Sequence, residues 1–229
     1  HLESIKIILN LINLKYNEVS EKCFSIIKSK TFKFDPINVK EGIFKIGSKN
    51  KKAFSYDNEK PLNHIKLESF QIDKKLIHID EWFGFIKEGG YQNKKFWSKS
   101  GWEWKNKNKI SLPLGWVFHK NNLSISTPYG FKKANKDSPV SNISYYELEA
   151  FAKWVNFNIP HELQWEASYK KIINKFNVWE WCNNKFFPYE GFIPYPYKEY
   201  SLPWFNNYYY TLKGLTLQLM PALYLYIVM

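Results

Sequence analysis

Five histidines, two cysteines, a few acidic pairs and a tyrosine–proline segment are the residues of this 229-residue chain with chemistry to offer. Cys23 and Cys182 are too few for a disulfide scaffold or a four-cysteine zinc site. His64, His78, His119 and His161 show no metal-ligand spacing. His1 stands at the first position, where a side chain reads first as solvated, and one imidazole cannot hold a catalytic metal alone. Asp57 and Glu59 lie in a polar turn and could meet a cation or a substrate ammonium; a solvated turn is the preferred reading. Glu162 and Glu166 read as structural carboxylates of a helix. The segment from Pro188 to Pro203 carries four prolines among its tyrosines, which predicts a rigid, irregular loop.

The elements that must position these residues follow from apolar spacing. Leu2, Ile5, Ile8, Leu9 and Ile12 recur at helical intervals and make one apolar face, which needs a partner to be stable. No helical bundle follows, so the expectation is that residues 1–30 end a helical domain lying upstream. Residues 43–47 and 64–70 alternate like strands. A short helix is predicted from Ile79 to Glu88, stopped by Gly89 and Gly90. The stretch holding Trp97, Trp102, Trp104 and Trp116 reads as loop-rich. Ser144 and Glu147 fit a reciprocal cap, with Leu148, Phe151, Ala152 and Val155 following at helical spacing. Another helix is expected from His161 to about Lys171, then a buried strand over 176–182. Short strands, few helices and long ordered loops together predict an α+β domain.

Composition removes whole classes. With aromatics at 19% and apolar residues at 45%, the chain is not disordered. No run approaches the roughly 20 apolar residues of a membrane-spanning helix. The net charge of +12 comes from lysine alone, spread along the chain in pairs such as Lys51–Lys52 and Lys132–Lys133. Nucleic-acid binders cluster their charge and favour arginine for bidentate contacts, so no nucleic-acid partner is expected.

Six motifs in order carry a resemblance. Residues 89–91 (Gly-Gly-Tyr), 96–98 (Phe-Trp-Ser) and 101–104 (Gly-Trp-Glu-Trp) resemble the formylglycine-generating-enzyme-like domain, a fold related to the C-type lectins. So do Pro139-Val140 ahead of Ser144–Glu147, Pro160-His161-Glu162 with Trp165-Glu166, and residues 177–181 (Asn-Val-Trp-Glu-Trp). Residues 54–59, 188–192 and 196–201 are similar to the sulfoxide synthases of ergothioneine biosynthesis. Those carry a DinB-type helical domain ahead of this one, and residues 1–3 (His-Leu-Glu) resemble the end of its His-x3-His-x-Glu iron motif.

The resemblance implies an oxygen-dependent, non-haem iron(II) enzyme of the cytoplasm. Such enzymes join cysteine or γ-glutamylcysteine to C2 of the imidazole of trimethylhistidine and oxidise the sulfur to a sulfoxide. It implies His1 as the last of three histidine ligands; Glu3 reads equally as a group orienting a ligand or as a surface carboxylate of the helix. It implies Tyr197 as proton donor toward iron-bound oxygen, a task suited to a phenol whose unperturbed pKa is about 10. It implies Tyr200 as a wall of the trimethylhistidine pocket, where an aromatic face attracts a quaternary ammonium. Related folds place a calcium site near the strand of Asn177 and Glu180, a secondary expectation. The cysteines do not match the paired cysteines of true formylglycine generation. An ovothiol-type branch acting on histidine, and a non-catalytic lectin-like binding module, are the alternatives.

Several positions depart from the pattern. Asn158 and Phe176 replace an arginine and a glycine, and His161 replaces a capping threonine. His161 is expected to be the poorer cap. After Gly214 the family continues through an Arg-Asn-aromatic segment, whereas residues 215–229 form an apolar tail interrupted by Pro221. We therefore divide the chain at 1–30, 31–214 and 215–229. The tail is expected to come from a frameshift or a truncated gene and to lower solubility.

Overall fold

The structure is a computed structural model that describes residues 31–49, 55–119, 122–127, 129–172, 179–214 and 223–224. The expected helix over residues 1–30 and most of the apolar tail lie outside this range. Among the described residues, four small sheets and four α-helices make an α+β domain. Strand β1 (Pro36–Val39) pairs antiparallel with β4 (Phe70–Asp73), and β2 (Gly42–Ile46) with β3 (Asn63–Leu67). A meander joins β5 (Trp116–His119), β6 (Asn122–Thr127) and β7 (Gly130–Lys133). The fourth sheet has β8 (Trp179–Lys185) at its centre. It runs antiparallel to β9 (Tyr210–Gly214) and parallel to the short β10 (Leu223–Tyr224).

Helix α1 (Ile79–Lys87) is buried at every position from Ile79 to Ile86, the acidic Asp80 and Glu81 of its first turn included. The two glycines do stop it. The Gly90 N–H donates to the Phe85 carbonyl at 2.8 Å, and a side chain on Gly90 would collide with the Phe85 ring. The tryptophan-rich stretch corrects the loop reading, because it contains helix α2 (Lys99–Lys107). Ser98 starts that helix by accepting the Gly101 N–H at 3.2 Å. Helix α3 (Tyr145–Val155) opens on the predicted reciprocal cap: the Ser144 N–H donates to Glu147 Oε2 at 2.9 Å and Ser144 Oγ accepts from the Glu147 N–H. Helix α4 (Glu162–Ser168) is shorter than expected.

The main core lies between α1 and α3, where Trp82 stacks on Phe151 with centroids 4.8 Å apart. The buried Trp97 and Trp165 find acceptors for their N–H groups, on the Gly90 carbonyl and on Glu180. A second cluster of Val39, Phe70, Ile72, Leu76, Trp165 and Cys182 ties β1, β4, α4 and β8 together. Among the described residues, no helix is long and apolar enough to cross a membrane.

Candidate active site

The tyrosine–proline segment is irregular, as its prolines dictate, with two short 3-10 turns at Lys198–Tyr200 and Leu202–Trp204. It packs against the turn over residues 56–63. Asn63 Nδ2 donates to the Glu190 carbonyl at 3.2 Å. The decisive contacts fall on Asp57, which corrects the reading of this turn as solvated. Its carboxylate is 3% exposed and accepts three hydrogen bonds. Oδ1 takes the Ser201 hydroxyl at 2.5 Å and the Asn58 N–H at 2.9 Å, and Oδ2 takes the Tyr195 N–H at 3.2 Å. The turn itself is closed by the Tyr56 N–H on Glu59 Oε2 at 2.6 Å.

Tyr197 and Tyr200 come together on this frame. Their rings meet edge to face at 5.8 Å, and Tyr200 stacks on Tyr56 at 6.2 Å. Tyr197 is 57% exposed, so its hydroxyl is open to a reactant. Partial burial, then Tyr56, Asp57 and Tyr197, push the Tyr200 phenol above its ordinary value and keep it neutral. The arrangement can present one phenolic proton and a set of aromatic faces to a ligand arriving from solvent.

Beneath the loop lies an ionic knot. Lys213 Nζ of β9 sits 2.7 Å from Glu166 Oε2, 3.4 Å from Glu162 Oε2 and 2.8 Å from the Tyr189 hydroxyl. Glu166 Oε1 also accepts the Gly47 N–H at 2.6 Å, and Glu162 Oε1 accepts from Asn184 at 2.9 Å. Burial alone would lower the Lys213 ammonium, but Tyr189, Glu166 and Glu162 outweigh it and hold the pKa above its ordinary value. The two glutamates are structural, as expected, and they join α4, β2, β8 and β9. A cleft of about 550 Å³ opens beside them, lined by Phe44, Glu59, Trp165, Glu166, Tyr169 and Lys213.

His161 caps α4 after all. Its Nδ1 accepts the Leu163 N–H at 3.2 Å, and burial lowers the imidazole pKa, which favours the neutral acceptor form. His78, Asp80 and Glu81 bring one ligand atom each within 4.8 Å, a grouping that a search for His/Cys spacing does not find. Glu81 is already engaged there, with Oε2 on the His78 N–H at 2.9 Å and Oε1 on Lys75 Nζ at 3.3 Å. The group also sits at the N-terminus of α1, where the helix dipole opposes a cation. Glu180, the other member of the expected calcium strand, is fully buried and accepts the Trp165 N–H at 2.7 Å, while Asn177 lies outside the described residues. His1 also lies outside them. No histidine group beside Tyr197 fits an iron ion among the described side chains.

Sequence reasoning missed Ser201, Tyr56 and Lys213. Ser201 is 144 residues from Asp57 and Lys213 is 47 from Glu166, and neither side chain carries a local signal of its partner.

Comparison with known proteins places this geometry in context. A model of the sulfatase-modifying factor enzyme 1-like domain matches residues 28–170. The hercynine oxygenase of Mycobacterium tuberculosis is 26% identical over 216 aligned residues, covering 74% of this chain and 50% of the relative. The hercynine oxygenase of Mycolicibacterium thermoresistibile is 25% identical over 201, covering 67% and 44%. The formylglycine-generating enzyme of Thermomonospora curvata is 24% identical over 140, covering 56% and 46%. The chain thus spans about half the length of the curated relatives it matches.

Proposed function

The chain belongs to the sulfatase-modifying factor enzyme 1-like family, and from that premise we propose that it is the tyrosine-bearing part of a hercynine-oxygenase-like enzyme. On this reading the whole enzyme couples the thiol of cysteine or γ-glutamylcysteine to C2 of the trimethylhistidine imidazole and oxidises the sulfur with O2. Residues 31–214 are the domain that presents Tyr197 and Tyr200, residues 1–30 end the helical iron-binding half, and residues 215–229 are an aberrant tail. Iron(II) would be held by histidines, His1 among them. The described side chains supply no such site.

One observation carries the reading: a solvent-facing phenol, Tyr197, is held beside a second tyrosine on a loop fastened to a buried carboxylate. Tyr197 presents its hydroxyl as the proton donor, and Tyr200 with Tyr56 offers faces that attract a quaternary ammonium. The likeness to proteins named hercynine oxygenase supports trimethylhistidine as the ammonium concerned.

The test uses a chain extended upstream of His1 to the length of the relatives. It is supplied with iron(II), O2, trimethylhistidine and either thiol, and the product is read by mass. The expected result is the sulfoxide from wild type and at least about 100-fold less from Tyr197→Phe, the range of a lost general acid. No sulfoxide with either thiol overturns the reading. Sulfoxide formed when histidine, and not trimethylhistidine, is supplied with the thiol replaces it with the ovothiol-type reaction.

A further inference from the structure

We propose that Asp57 is the positioning residue for the two tyrosines. The proposal rests on the reading of Tyr197 and Tyr200 as the working pair, and the geometry brings it one step further back. The backbone hydrogen bonds of the loop itself are local: Phe192 to Tyr189, Tyr200 to Tyr197, and Trp204 to Ser201. Such bonds shape turns but do not fix the loop against the domain. The contacts that do so at Tyr195 and Ser201 both end on the Asp57 carboxylate, one on each oxygen. Those two anchor points lie six residues apart and bracket Tyr197 and Tyr200.

The chemistry of the clamp is suited to the task. A carboxylate has two acceptor oxygens in a fixed plane, so one side chain can hold two points of a strand at once. The Ser201 contact has the length of a charge-assisted O–H···O⁻ bond. Both Asp57 and Ser201 are 3% exposed, so water does not replace a lost partner. The clamp is in turn fixed to the domain. The Lys60 N–H donates to the Asp57 carbonyl at 3.0 Å, and the Ser48 N–H donates to the Glu59 carbonyl at 2.7 Å. Tyr56, the residue before Asp57, stacks on Tyr200, so the same turn sets the ring as well as the backbone.

Amide hydrogen exchange on the full chain tests the clamp, and turnover of the upstream-extended chain tests its purpose. Asp57→Asn keeps one acceptor and turns an amide N–H toward the Tyr195 N–H; Ser201→Ala removes the other contact; Ser201→Thr keeps the hydroxyl. In Asp57→Asn and Ser201→Ala, amides of residues 195–201 are expected to exchange about 10- to 100-fold faster, the range of a lost bond to a charged group. Amides of α3 and β8 should be unchanged, and Ser201→Thr should restore wild-type protection. Sulfoxide turnover should fall with loop protection in the same two variants and return in Ser201→Thr. Unchanged exchange at 195–201 overturns the clamp whatever the activity, and faster exchange with unchanged turnover overturns the positioning role. If Tyr197→Phe turns over like wild type, the reading of the working tyrosine fails, and the exchange result still decides the clamp. Should Asp57→Asn fail to fold, the Ser201 pair carries the test.

Discussion

At the residue scale, the chain shows how little a side chain's type says about its surroundings. Glu162 and Glu166 stand one helical turn apart, which places them on one face. Nothing local reveals that Lys213 lies between them, although the three side chains are largely buried. Removing the cation leaves two carboxylates out of water without a counter-charge, the costly half of breaking a buried pair. Lys213→Met is therefore expected to lower the unfolding free energy by about 3 kcal/mol, measured by urea denaturation. The Lys213→Met/Glu166→Gln double variant should recover part of that loss. A single-variant loss under about 1 kcal/mol would show the pair to be screened like a surface bridge. Asp57 makes the same point, since its sequence surroundings are those of a solvated turn while its oxygens hold a loop 138 and 144 residues away.

Elements were legible where their signals are local, and illegible where tertiary contacts made them. The Ser144–Glu147 cap and the Gly89–Gly90 stop are written within four residues, and both appear as read. Helix α2 was hidden because its tryptophans at 102 and 104 break the amphipathic period, and it forms under the Ser98 cap. The turn after β2 shows how an element end can be fixed by a neighbour. Gly47 has φ of +86°, and a Cβ there would collide with the Pro61 carbonyl oxygen and lie 3.2 Å from the Tyr189 ring. Its N–H also feeds Glu166. Gly47→Ala therefore combines an unfavourable backbone with a collision against main chain. It should cost at least about 2 kcal/mol, seen as a lower denaturant midpoint at an unchanged slope. A neutral result would mean that the 59–63 turn can retreat from β2.

At the scale of the whole molecule, each of the two cores encloses or borders a carboxyl group that the fold prefers neutral. Burial raises Glu147 to about 7, against the hydrogen bonds from Tyr91 and Ser144 that lower it. Burial likewise raises Asp73, beside the second core, to about 7, while the Lys75 N–H and its ammonium oppose the shift. For an acid whose folded pKa lies above its unfolded value, the folded state binds the extra proton. The stability this gives is complete below the unfolded values near 4 and is lost as pH rises through about 7. Each group thus makes the protein less stable at pH 8 than at pH 5, opposite in sign to a salt-bridged carboxylate. Glu147→Gln copies the neutral form, because its amide oxygen can still accept from Ser144 and its amide N–H can reach the Tyr91 hydroxyl. The two proteins should have similar unfolding free energies near pH 4, and the variant should be the more stable at pH 8. The gap should open as pH rises from the unfolded value of 4.5 and be complete just above the folded value of about 7. Paired urea titrations across that range decide it: a gap that does not change with pH would mean that Glu147 is ionised in the core and that its hydrogen bonds prevail over burial.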